Sequence, residues 1–178
     1  MAMTLLATNP DSTNVASIEF ESSIDSTYRL YVFKMYDINA ATDGAEFGVQ
    51  FNVASASGYN ENIVSTAVRA YHWEDDSAAA VAYETGSDQQ GATGLQVLNS
   101  ESGADADQSL AGELLLFDPS NTTYETHFMS RTISNRENDG VQEMYISGYV
   151  SETAAVDKIQ FKMSTGNMDG VIKMYGVA

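Results

Sequence analysis

Ala45-Glu46-Phe47-Gly48-Val49-Gln50-Phe51-Asn52-Val53 decides the fold class. Phe47, Val49, Phe51 and Val53 recur at every second position, which puts them on one face of an extended chain and the intervening residues on the other. A helix would need apolar residues three and four apart. The same period governs the neighbouring runs. Tyr28 to Tyr36 is rich in β-branched and aromatic residues, with Leu30 and Val32 alternating against Tyr31, Phe33 and Met35. Val15 to Phe20 sets Ile18 and Phe20 on one side.

Further along, strands are expected at Ile63–Trp73, Ala79–Tyr83, Leu95–Leu98, Gly112–Phe117, Thr123–Ile133, Val141–Val150, Asp157–Met163 and Val171–Val177. Asp43-Gly44, Asp139-Gly140 and Asp169-Gly170 read as hairpin turns, and Asp118-Pro119-Ser120-Asn121 as a turn after a strand. The one helix candidate is Ala104 to Leu110. Short strands separated by turn signals predict an all-β antiparallel sandwich of jelly-roll type. It forms a single domain over residues 1–178, with residues 1–14 as an extended N-terminal arm. The expected core is Ile18, Phe20, Val32, Phe47, Val49, Phe51, Leu115, Phe117, Ile146, Ile159, Phe161, Ile172 and Met174.

Composition narrows the function classes. Eight Lys and Arg against 25 Asp and Glu give a net charge of −17. Such a chain is a poor partner for phosphate backbones or anionic lipid, both of which call for basic residues. No nucleic-acid or membrane partner is therefore expected. There is no cysteine, so disulfides and thiolate zinc sites are excluded. Between Ala70 and Ser130 there are eleven carboxylates and no Lys or Arg. That stretch is expected to form exposed acidic loops, because an unpaired buried carboxylate costs several kcal/mol.

Motifs for catalysis are missing from the sequence: it has no G-x-S-x-G, no Walker A loop and no H-E-x-x-H. His72 and His127 read as half-buried strand residues, and no catalytic or cofactor-binding residue is assigned. Asp105 and Asp107 are candidate ligands for Ca2+, since alternate aspartates can converge on one hard cation; the remaining loop positions do not follow a calcium loop. Tyr71, Trp73 and Tyr83 are candidates for a glycan-binding aromatic platform, because sugar rings stack on such faces.

Several stretches resemble small virion structural proteins from tailed phages of aquatic bacteria. They are Ile24-Asp25-Ser26-Thr27-Tyr28 with Tyr31-Val32-Phe33-Lys34, Ala41 to Phe47, the run Gly112 to Tyr124, His127-Phe128, and Ile159 to Gly176. The resemblance implies a β-sandwich carried on the capsid or in the tail and made in a host bacterial cytoplasm. It implies a homo-oligomer meeting major capsid or tail proteins, with capsid decoration preferred, and a host surface glycan as an alternative partner. No catalytic residue comes with it.

Overall fold

The computed structural model describes residues 2–9 and 12–178. The described strands are β1 (Met3–Thr8), β2 (Ser12–Val15), β3 (Ile18–Phe20), β4 (Leu30–Ala40), β5 (Ala45–Val53), β6 (Ile63–Trp73) and β7 (Ala79–Tyr83). They continue with β8 (Gln90–Ala92), β9 (Gln96–Ser102), β10 (Leu110–Phe117), β11 (Thr126–Arg136), β12 (Gly140–Val150), β13 (Val156–Met163) and β14 (Met168–Val177). Every ladder is antiparallel, and all fourteen strands belong to one continuous sheet. The sheet curls so that a broad layer, β1-β14-β4-β10-β11-β12-β6-β7, faces a narrow one, β9-β5-β13-β3. The layers join at a single rung, Arg136 opposite Ser102. The all-β antiparallel expectation is met; this strand path does not assign the jelly-roll type.

Aromatic side chains hold the layers together. Phe20 and Phe161 of the narrow layer meet Phe33 of the broad layer at ring-centroid distances of 5.4 and 5.5 Å. Phe51 meets Phe128 across the same gap at 5.3 Å. Each such fully buried ring contributes about 1.5–3 kcal/mol.

Local conformation explains where the expectations fail. Leu115 and Phe117 are only half-buried, while Leu114 and Leu116 enter the core. Three consecutive leucines make both parities apolar, so periodicity there does not choose a face. Val32 is buried although it points away from the core, covered by its cross-strand neighbours Leu115 and Tyr175. Ala104 to Leu110 forms no helix: Gln108 N–H donates to Asp105 C=O, closing a turn before β10. Asp169-Gly170 is no hairpin turn but lies within β14 opposite register shifts that put an extra residue into each of β4 and β2, with Gly170 at φ +130°. A Cβ there would strike the Ile38 backbone. Opposite, Asp37 at φ +50° inserts an extra residue into β4, so that Met35 and Ile38 both face inward. Within the stretch expected as an extended N-terminal arm, Met3–Thr8 and Ser12–Val15 form β1 and β2, and both pair with β14. Residues 10 and 11 lie outside the described residues.

Candidate functional site

At one end of the molecule the space between the layers is polar. On β11 the inward parity runs Ser130, Thr132, Ser134, Arg136, all buried. Asn99 on β9 is the hub beneath them. Its Oδ1 accepts from Ser134 Oγ at 2.8 Å, Gln142 Nε2 at 3.0 Å and Ser102 Oγ at 3.3 Å, and its Nδ2 donates to Thr132 Oγ1 at 3.1 Å. Toward the rim, Arg136 is 4% exposed and pairs with Glu101. Arg69 pairs with Glu84 at 3.0 Å and with the same Glu101 at 3.1 Å. Burial, and then the neighbouring Arg69, lower the Arg136 pKa.

Tyr71 and Trp73 belong to this cluster. Their rings lie 5.2 Å apart, with the Arg136 guanidinium 4.6 Å from the Trp73 ring and the Arg69 guanidinium 5.0 Å from the Tyr71 ring. Gly140, directly opposite Trp73, leaves room for the indole, which a Cβ would strike. Tyr83 pairs with Val68 and so lies on the opposite face of the β6–β7 hairpin, its hydroxyl donating to Asp88 at 2.7 Å. The three aromatic candidates are therefore not one platform: two stack on arginines and the third faces away. Beside Trp73 an open cleft of about 670 Å³ is lined by Glu74, Asp75, Ser77, Asn138 and Asp139.

The other sequence candidates lie apart. Asp105 and Asp107 sit exposed in the turn before β10, and no cluster of three metal-ligating side chains forms among the described residues. Both histidines are exposed, not half-buried: His72 meets Asp76 at 3.1 Å and His127 meets the Glu125 carbonyl at 3.1 Å. None of the eleven carboxylates between Ala70 and Ser130 is buried. Glu84, Glu101, Glu113 and Asp118 are not bare loop charges, however, because Arg69, Arg136, Lys34 and Arg29 reach them from outside the stretch.

Glu46, on β5, feels the same end of the molecule. Burial first, then the charge of Glu84, raise its pKa above the ordinary carboxylate value. A raised folded-state pKa means that the ionised form opposes folding, so stability falls as pH rises through the folded pKa. Glu46→Gln should therefore raise the urea midpoint at pH 7, and the gain should vanish below about pH 4, where the unfolded carboxyl also holds its proton. Urea titrations at the two pH values check this; an equal shift at both would refute it.

The outer face of the broad layer has a different character. Tyr36, Met129, Ile133, Val141 and Tyr145 stand exposed on it. A row of charge crosses the strands in register: Lys173, Lys34, Glu113, Arg131. Lys34 pairs with Glu113 and Arg131 with Glu143. The Arg131 guanidinium lies 5.4 Å from the Tyr145 ring and Lys173 lies 5.6 Å from the Tyr36 ring. Three cations against two carboxylates leave this face near neutral in a chain of net charge −17.

The sequence reading missed Arg136, Arg69 and Glu101. The available signal was parity along β11: counting by twos from Phe128 reaches Arg136 on the inward side.

No family model and no curated protein matches the chain. A solved structure from Bacteroides ovatus, described as structural genomics of unknown function, resembles it with a TM-score of 0.32 at 6% identity, covering 59% of this chain. The chain spans 45% of that structure's length.

Proposed function

We propose that this chain is a non-enzymatic virion structural protein of a tailed phage, exposed on the particle and serving as a capsid decoration protein. It would be made in the host cytoplasm and act as a homo-oligomer against major capsid or tail proteins. The phage assignment rests on the sequence resemblance. The observation that supports a contact role is the outer face of the broad layer. Catalytic and small-ligand sites are concave, with a few convergent polar groups. This face does hold an open groove of about 440 Å³ lined by Lys34, Glu113, Arg131 and Glu143, but those charges pair with one another and exposed apolar side chains spread around them over several strands. Its near neutrality also lets a large acidic protein approach a neighbour without like-charge repulsion.

Ile133, 49% exposed at the middle of that face, is the point to test. Ile133→Lys sets a cation beside Glu143, its cross-strand partner, so the fold is undisturbed. Buried in a contact, the lysine costs more than the 1.4 kcal/mol that equals a tenfold loss of affinity. Particle occupancy, measured by imaging virions with the chain located, should fall more than tenfold while the melting temperature stays within about 2 °C. Absence of the wild-type protein from purified particles would end the reading.

A second reading, a tail-associated adhesin for host glycan, is favoured by the cleft beside Trp73, where an aromatic edge meets several hydroxyl-binding oxygens. Binding on a glycan array, lost in Trp73→Ala, would select it.

A further inference from the structure

The last strand of the broad layer, β7, has a ladder partner on one side only, β6, among the described residues. Trp73 N–H donates to Ala78 C=O and Glu84 N–H donates to Ala67 C=O. Hydrogen-bonded pairs alternate along an antiparallel ladder, so Ala80 and Ala82 bond inward to β6. Ala79, Val81 and Tyr83 then turn their N–H and C=O groups outward. All five β7 residues are exposed, Val81 by 75% and Tyr83 by 52%. Ala-Ala-Val-Ala-Tyr contains no charge, proline or glycine.

Proteins normally blunt such an edge with charge, proline, a bulge or brevity. The other outer edges here follow that rule: β1 is bulged between Leu5 and Ala7, and β3 is three residues long. We infer that β7 is a docking edge for strand addition by another polypeptide, one with an uncharged β-branched centre and Lys or Arg at both ends.

The flanks select this occupant. Exposed Glu74, Asp75 and Asp76 precede β7, and Asp88, held by the Tyr83 hydroxyl, follows it. A strand laid antiparallel on β7 meets carboxylates at both ends, and basic flanks complete it. A second copy of β7 would bring the same carboxylates to both ends and be repelled. Main-chain bonds of this kind give affinity, and the flanking charges give selectivity.

The test uses the full chain and a labelled synthetic peptide, Lys-Lys-Thr-Val-Thr-Val-Thr-Lys-Lys, followed by fluorescence anisotropy at low salt. Saturable binding is expected, at least tenfold weaker for the same peptide with glutamate flanks and for one N-methylated at alternate amides. Val81→Pro removes one outward N–H and no bond to β6, so it should keep the circular-dichroism spectrum and lose at least tenfold in binding. Should that variant misfold, the N-methylated peptide still decides the question. Equal binding of the methylated peptide would mean charge attraction alone and overturn the proposal, as would no binding of the basic peptide. Self-association of the wild-type chain that Val81→Pro abolishes would overturn the stated occupant in favour of a second copy.

Discussion

Phe161→Ala should lower the free energy of unfolding by about 3–5 kcal/mol. Phe161 is fully buried on β13 and its ring meets three others: Phe33 at 5.5 Å, Phe47 at 6.1 Å and Phe20 at 6.4 Å. Those partners come from both layers, so removing the central ring leaves a cavity that neither layer can close alone. The loss is transfer free energy plus unfilled volume, at the upper end for a core truncation. In a domain of this size, roughly 10 °C of melting temperature should go with it. Guanidinium titration measures the effect, with the slope unchanged if the native and denatured states keep their exposed areas. A loss under about 1.5 kcal/mol would show that the aromatic cluster is not what couples the layers.

Asn99→Leu should cost a comparable amount, about 3 kcal/mol, for a different reason. It fills the volume but strands the Ser134, Ser102 and Gln142 donors that Asn99 Oδ1 now accepts. Each buried donor left without a partner costs about 1–3 kcal/mol unless it finds another acceptor. Gln142 Nε2 already has one in the Ser100 carbonyl, which keeps the total below a simple sum. The distinguishing measurement is a second variant in which Gln142→Leu and Ser134→Ala accompany Asn99→Leu. Removing both sides of a hydrogen bond can be nearly neutral, so the triple variant should regain at least half of the lost stability. If it is less stable than Asn99→Leu, the network stabilises the fold beyond satisfying its own polar groups.

Much of the architecture was legible because β-branched runs end at turn residues. Ile63–Trp73 and Ala79–Tyr83 agree with the observed strands residue for residue, since the Glu74-Asp75-Asp76-Ser77 turn divides them. Where the sequence is apolar at every position, as at Leu114-Leu115-Leu116, strandness is legible and facing is not. In β10 the outer face is itself largely covered, so both parities satisfy burial. The aromatic candidates fail through hairpin geometry: pairing Val68 with Tyr83 turns Tyr83 away from Tyr71 and Trp73. Knowing the turn would have revealed this. Parity along β11 could place Arg136 inward, but its meeting with Glu101 and Arg69 was out of reach by local reading, because the three come from β11, β9 and β6 and meet only when the layers close. The same closure supplies basic partners to an acidic stretch that has none of its own.

β4 lies between β10 and β14, both later in the chain. Leu30–Ala40 therefore emerges long before either neighbour that will bond its two edges, and β1 and β2 wait on β14 as well. No nascent chain that lacks β14 can complete the sheet, so closure waits for β14 to emerge and carries a high loop-closure entropy. Until β10 emerges a largely apolar eleven-residue strand is open on both sides, and until β14 emerges it is open on one. The strong negative charge gains a purpose in that interval: it holds unfinished copies apart for as long as the sheet remains open.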